Sequence, residues 1–348
     1  MQITRLSSDS HEDVIRVRDD ATGLTGFIAI HSTQLGPAAG GLRMRAYDSE
    51  ESAINDVLRL SHGMTFKNAA AGLPLGGGKA VIMGDPATKT PEMLRAFARA
   101  IDGLQGRYWT AEDMGMSPED MAVLAGVTPY VAGLADGEFA SGDPSPVTAR
   151  GIFNAIRCTA KHRFGSADLT GRRVAVQGLG HVGWYLAEML HAAGARLIVA
   201  DMEAGRCTRA ADVFGAEVVP VDRILEMEAD ILAPCAIGGI LNEARIAGLK
   251  VGAVAGGANN QLATPADGDR LHARGILYAP DYVANAGGIV NVATEILRIK
   301  DRPAFVADKL AEAEATLDAI LSGAVARGVS PHRLADEVVL SRMQGKAA

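Results

Sequence analysis

The sequence predicts an α/β protein of two domains: an N-terminal α/β domain for substrate and catalysis, and a C-terminal Rossmann-type, doubly wound domain for a dinucleotide. Three observations carry this. At 348 residues the chain is longer than one ordinary core supports. Short apolar strands alternate with helical periodicity through its second half. The run Gly178-Leu179-Gly180-His181-Val182-Gly183 follows the apolar strand Arg173 to Gln177 and opens a helix.

Composition narrows the function. Hydrophobic residues make up 48% of the chain, enough for a sizeable core, and the 40 glycines are scattered among apolar segments, as tight turns require. A net charge of -7 without a basic block gives no electrostatic support for nucleic acid or a membrane surface as partner. Cys158, Cys207 and Cys235 are far apart and in no metal-ligand spacing, so they read as reduced small hydrophobes and no metal is expected. With no apolar stretch of signal-peptide or bilayer-spanning length, a cytoplasmic protein is the expectation.

The elements follow in order. Val14 to Arg18 and Gly26 to His31 alternate around Asp19-Asp20-Ala21-Thr22-Gly23 as a hairpin. Asp48 and Glu51 are placed as a capping box for a helix whose apolar face is Ile54, Val57, Leu58 and Met64. A strand over Ala80 to Met83, a helix across Pro91 to Leu104 and a strand near Tyr108 to Ala111 continue the first domain, residues 1–143. Ser145 and Pro146 read as N-cap and first turn of the helix opening the second domain, residues 144–323. There the βαβ unit around the glycine turn is followed by strands at Ile231 to Ala233, Val251 to Val254 and Ile276 to Tyr278. Val306 to Leu321 forms a long amphipathic helix, and the C-terminal segment 324–348 is expected to pack back on the first domain.

Two lysines stand out. Lys67 ends the first helix, and Lys79 closes the run Gly76-Gly77-Gly78 just before apolar Ala80-Val81-Ile82-Met83. An ammonium beside another positive charge and partly out of water loses its proton more easily, so one lysine of such a pair can serve as base while the other holds an anion. Glycines without Cβ leave room for a small ligand close to the main chain. In the glycine turn, Gly178, Gly180, His181, Val182 and Gly183 bring a helix N-terminus to a pyrophosphate, with His181 itself read as solvated. Asp201 ends the next strand, where a carboxylate accepts from ribose hydroxyls and repels a 2′-phosphate. NAD is therefore expected over NADP, although Arg206 and Arg209 lie just beyond.

Gly36-Pro37-Ala38-Ala39-Gly40-Gly41-Leu42-Arg43-Met44, Lys67-Asn68, Leu75 to Lys79, Glu112-Asp113-Met114-Gly115, Gly257 to Asn260 and Asn285 to Gly288 together resemble the leucine, phenylalanine, valine and glutamate dehydrogenases. The resemblance implies oxidative deamination of an L-amino acid by a homo-oligomeric enzyme acting on a small-molecule substrate. It gives Lys67 the substrate carboxylate, Lys79 the role of general base for water, and Asp113 a proton shuttle to the nitrogen. Gly40, Gly41 and Met44 would flank the substrate, and Asn260 would position substrate and nicotinamide. Thr148, Asn259 and Asn285 would contact the cofactor.

Within the family, glutamate enzymes carry a lysine before the Gly-Gly pair, where this chain has Ala39, so an apolar side chain is expected. By resemblance Ala39, Met64, Ala111, Ile289 and Val292 line its pocket. Features of phenylalanine and of branched-chain enzymes are mixed, and a methylene or two is worth only ~1–3 kcal/mol, so overlapping specificity with a lean to leucine and valine is expected. Two other readings compete. A 2-hydroxy-acid dehydrogenase would use a pair such as His272 and Arg274; a non-catalytic NAD sensor would have no use for Lys67, Lys79 and Asp113 together.

Overall fold

Alternation of apolar residues after Asp13 builds the first unit. In the computed structural model, which describes residues 1–343, β1 (Gln2–Arg5), β2 (Asp13–Asp19) and β3 (Leu24–Ser32) form an antiparallel meander turned at Gly23, φ +69°. β4 (Ala38–Ala39) and β5 (Leu42–Arg45) are two pieces of one extended path broken at Gly40-Gly41. α1 (Glu50–Ala70) comes next; its N-cap is Ser49, boxed with Ser52, one residue beyond the expected Asp48 and Glu51. A hydroxyl is a good cap, and Glu50 and Glu51 are left in the first turn, where they complement the helix dipole. β6 (Gly76–Met83), α2 (Pro91–Asp102), β7 (Tyr108–Trp109) and α3 (Pro118–Ala125) follow.

The sheet runs β1-β2-β3-β6-β4-β7, with β5 also paired to β6. β3 is antiparallel to β6, whereas β4 and β5 are parallel to it. The triple glycine is therefore not a loop before a strand but the start of the central strand. A Cβ on Gly77 would lie 2.0 Å from Thr65 Oγ1 of α1, and one on Gly78 2.6 Å from the Tyr108 ring. Only glycine lets helix and sheet approach this closely. One face packs Phe27, Ala29 and Val81 against Ala53 and Val57 of α1. The other packs Ile28, Leu42, Met44 and Ile82 against Leu94, Phe97 and Ile101 of α2.

The second unit begins at Ser145. It holds α4 (Ser145–Phe164), β8 (Arg173–Gln177), α5 (His181–Ala192), β9 (Arg196–Ala200), α6 (Ala204–Phe214), β10 (Glu217–Val218), β11 (Glu228–Pro234), α7 (Glu243–Gly248), β12 (Lys250–Val254), α8 (Ala266–Ala273), β13 (Leu277–Tyr278) and α9 (Asp281–Ala284). Its strands are parallel in the order β10-β9-β8-β11-β12-β13. The order reverses between β8 and β11, and doubly wound sheets bind ligands outside the carboxyl ends of strands at such a point.

α10 (Gly287–Ile296) leaves this unit, and Ile289–Val306 groups with the first. Glu295 is the reason. Its buried carboxylate accepts from Gly133 N at 2.7 Å, Ser141 N at 3.1 Å and Ser141 Oγ at 2.9 Å, while Asn291 Nδ2 donates to Ser141 O at 3.0 Å. α11 (Arg302–Arg327) and α12 (Pro331–Met343) follow. The expectation that 324–348 returns to the first domain is corrected: α12 groups with the second unit. Leu334 packs into the gap left by Gly323, Arg333 pairs with Asp269 at 2.6 Å, and Tyr282 donates to Asp336 at 2.9 Å. Residues 344–348 of that segment lie outside the described residues. Among the described residues no helix is long and apolar enough to cross a membrane.

Candidate active site

Strand alternation places the polar centre of the first unit. Arg43 pairs in register with Val81, and Leu42 with Ala80, so Lys79, Gly41 and Arg43 share the face that α1 covers. Segment 109–114 runs along the far side of residues 40–44: Gly40 N donates to Trp109 O, Leu42 N to Ala111 O and Met44 N to Met114 O. Asp113 thereby comes level with Gly41, whose missing Cβ would stand 2.9 Å from Asp113 Cβ. Over that gap Lys79 Nζ meets Asp113 Oδ2 at 2.5 Å. Lys79 lies within the strand, 6% exposed, rather than projecting from its end.

Arg43, to which the sequence reading gave no role, completes the cluster. Its Nε donates to Asp113 Oδ2 at 3.1 Å and its Nη1 to Asp56 Oδ2 at 3.1 Å. Asp56 also accepts from Tyr47 and Arg59. Burial pushes the Asp113 carboxyl up, but the positive charges of Lys79 and Arg43 outweigh it and hold it at about 2. Asp113 is thus a carboxylate at neutral pH. The signal for Arg43 was its place two residues after Gly41, on the same strand face.

Lys67 is half-buried in the last turn of α1, two residues beyond Thr65 at the Gly77 contact. Asn68 Nδ2 anchors that turn to Gly76 O at 2.6 Å. Met64 lies beside Gly40, and Ala39, fully buried, pairs with Gly77 on the same face. Ala111 lies against Gly41 through its carbonyl. Met44 does not join them, which corrects the expectation: next to Arg43 it must point to the opposite face, where it is 0% exposed in the core with Ile82 and Met121. Ile289 and Val292 are buried three residues apart on α10.

In the second unit the glycine turn, Asp201 and Asn259–Asn260 follow the carboxyl ends of β8, β9 and β12, while Thr148 lies in the first turn of α4 and Asn285 just after α9. Gly178 turns the chain at φ +94°, and a Cβ on Gly183 would lie 2.0 Å from Gly178 O, so α5 packs directly on the turn. Around Gly180 a Cβ would meet nothing within 4 Å, and Gly180 caps α5 without a side-chain bond, leaving a helix N-terminus suited to pyrophosphate. His181 is exposed and Val182 neighbours Gly257. Asp201 accepts from Leu179 N at 2.6 Å and Glu203 N at 2.8 Å; Arg206 stands 3.8 Å away and is held by Glu203 at 2.6 Å.

Further along, Asn285 Nδ2 donates to Asn259 Oδ1 at 2.8 Å and Gly257 O at 3.2 Å. Its own buried Oδ1 has no hydrogen-bond partner among the described residues, an opening for a ligand amide. Asn260 is exposed at φ +51°, and Thr148 lies beside Gly288. These groups fit a nicotinamide dinucleotide. His272 and Arg274 do not reach this end: His272 is exposed in the last turn of α8, and Arg274 donates to Ile246 O of α7.

A Rossmann unit, together with a unit bearing a buried lysine-carboxylate pair, defines the class as a two-domain oxidoreductase using a nicotinamide dinucleotide. Comparison with known proteins makes this specific. The Glu/Leu/Phe/Val dehydrogenase dimerisation-domain model matches residues 11–130, and the Glutamate/Leucine/Phenylalanine/Valine dehydrogenase model matches residues 141–209 and 203–331. The chain belongs to this family of NAD(P)-dependent amino-acid dehydrogenases. It is 51% identical over 287 residues to leucine dehydrogenase of Bacillus subtilis (strain 168), covering 82% of this chain and 79% of that one. It is 43% identical over 343 residues to phenylalanine dehydrogenase of Caldalkalibacillus thermarum (strain TA2.A1), covering 97% and 92%. The crystal structure of L-tryptophan dehydrogenase from Nostoc punctiforme superposes with a TM-score of 0.84 at 39% identity, covering 97% of this chain and 96% of that one.

Proposed function

We propose that this enzyme uses NAD to deaminate branched-chain L-amino acids, leucine and valine foremost, to the 2-oxo acid and ammonia, reversibly. The observation that carries the reading is the 2.5 Å pairing of Lys79 with Asp113 at the Gly40-Gly41 break. A carboxylate held at about 2 is ionised at neutral pH and accepts hydrogen bonds from a substrate ammonium. In this scheme Lys67 holds the substrate carboxylate, Asp113 receives and returns the nitrogen's proton, and Lys79, once deprotonated, activates water at the electrophilic carbon. Bound NAD supplies the hydride acceptor.

Gly40, Gly41, Ala39, Met64, Ala111, Ile289 and Val292 are proposed to shape the substrate side, with Asn260 orienting it; Met44 serves the core beneath. Gly178, Gly180, Val182, Gly183, Asp201, Thr148, Asn259 and Asn285 are proposed for the cofactor, with His181 beside the pyrophosphate turn. NAD rather than NADP is supported by Asp201 and by Arg206 being engaged with two carboxylates. Apolar Ala39 supports an apolar substrate, and the leucine dehydrogenase relatives support its being branched. A homo-oligomer is supported by the dimerisation-domain match, and a cytoplasmic location by three free thiols.

The test is a panel of L-amino acids that includes leucine, valine, phenylalanine and tryptophan, assayed with NAD and with NADP and scored by kcat/KM. Leucine or valine with NAD should lead. In the reverse direction NADH oxidation by the 2-oxo acid should require ammonium; equal rates without it would reject deamination.

A further inference from the structure

Away from these residues, α4 and α11 bring together three metal-ligating side chains that the chemistry above leaves unused. Cys158 and His162 are four residues apart on α4 and so share one face. Asp318 faces them from α11. His162 Nε2 stands 2.9 Å and Cys158 Sγ 3.9 Å from Asp318 Oδ1, and all three ligand atoms lie within 4.8 Å of one another. We propose that Cys158, His162 and Asp318 form a binding site for one zinc ion that ties α4 to α11.

Chemistry selects the ion. One sulfur, one imidazole nitrogen and one carboxylate oxygen make a borderline-soft donor set, which suits Zn²⁺ and not Mg²⁺ or Ca²⁺. The fourth tetrahedral position falls to water or to Glu314, one turn before Asp318 on α11. Access is from the side of Asp318, whose side chain is 42% exposed. Lys161 Nζ shares the same carboxylate oxygen at 3.0 Å, but being 60% exposed it can swing into water as the ion enters.

A nucleophilic thiol is the competing reading of the same trio. It fails on two counts. His162 Nε2 is directed to Asp318 rather than to the sulfur, and burial, with Asp318 and Glu314 adding to it, pushes the Cys158 thiol up to about 12. A bound divalent cation is what would turn this thiol into a ligating thiolate.

The experiment strips the full chain with a chelator and titrates it with Zn²⁺ alone and with Co²⁺ alone. One ion per chain is expected, with a thiolate-to-cobalt charge-transfer band in the near ultraviolet. The band should vanish in Cys158→Ser, and zinc affinity should fall by at least about tenfold in His162→Gln and Asp318→Asn. No thiolate band, or a band that survives in Cys158→Ser, overturns the site. If Cys158→Ser does not fold, Asp318→Asn decides, because its altered group is partly solvent-exposed, and undiminished zinc affinity there also overturns it.

Discussion

Lys79 Nζ and Asp113 Oδ2 stand 2.5 Å apart although the path of Gly41 runs between β6 and the segment that carries Asp113. Two side chains can meet over an intervening strand only where that strand has no side chain of its own. The Gly40-Gly41 break is therefore what permits the ion pair, and each glycine has a different neighbour to protect.

A methyl at Gly41 would lie 2.8 Å from Glu112 O and 2.9 Å from Asp113 Cβ. Gly41→Ala should push Asp113 out of register and lower kcat by about a hundredfold, the scale of an ångström-sized misplacement. Its circular dichroism and NADH affinity should match the parent. At Gly40 the methyl would lie 1.9 Å from the backbone oxygen of Gly78 in the central strand. Gly40→Ala should accordingly lose soluble, folded protein, measured by thermal melting; a stable Gly40→Ala chain would refute the assignment.

Asp113→Asn keeps the shape and removes the charge. Turnover should fall by roughly 10²–10⁴-fold, as for loss of a positioned acid-base group. Stability carries a second signature. The folded carboxyl sits at about 2, below its ordinary value of 3.8, so its stabilising contribution is complete above about pH 4 and is lost as pH falls toward 2. Urea melts at pH 7 and pH 3 should show a smaller acid loss for Asp113→Asn than for the parent.

Arg43 bridges Asp113 and Asp56, both at 3.1 Å. Removing it leaves two partly buried carboxylates without their shared cation, so Arg43→Met should lose about 3 kcal/mol of unfolding free energy. Arg43→Lys should recover only part, because one ammonium cannot occupy both forks of a guanidinium. Urea denaturation separates the three chains, and equal midpoints would count against the bridge.

Much of this was legible in residues and some was not. The glycine turn and the strand before it read directly, because a tight turn, close helix packing and an open helix N-terminus each demand glycine at a fixed offset. Lys79 was misplaced at a strand end, since Gly76-Gly77-Gly78 looks like a loop until Thr65 and Tyr108 are seen pressing on it. Met44 was placed beside the substrate by the family resemblance alone; strand alternation next to Arg43 sends it into the core instead. The docking of α12 depends on long-range partners, Gly323, Asp269 and Tyr282, which no local pattern announces.

Asp201 both tethers the glycine turn, through Leu179 N at 2.6 Å, and presents a negative charge beside Arg206. Asp201→Asn keeps an acceptor for the turn but drops the repulsion of a 2′-phosphate. The kcat/KM ratio of NAD to NADP should fall by about tenfold or more, since a single lost charge interaction of 1.4 kcal/mol is already that factor. A ratio unchanged in steady-state assays with both cofactors would remove Asp201 as the discriminator.

His31 makes the last prediction, about acid. Its Nδ1 is 2.7 Å from Thr65 Oγ1, and its ring contacts those of His11 and His62 at centroid distances of 4.9 and 4.7 Å. Burial first, then the neighbouring His62 and His11, lower its pKa to about 4, with Glu12 opposing. A histidine whose folded value lies below the ordinary 6.5 prefers to be neutral in the native state. The unfolded chain then binds more protons between those values, so stability is intact above pH 6.5 and is lost as pH falls through about 4. His31→Asn removes this titration and can keep a polar contact to Thr65. Melting temperatures between pH 7.5 and 4.5 should therefore fall less steeply than in the parent. Because Thr65 presses on Gly77, two residues before Lys79, the folded parent should lose activity through His31 only as pH approaches 4, where the ring is protonated in the native state. Parallel slopes for the two proteins would exclude His31 as the acid-sensitive group.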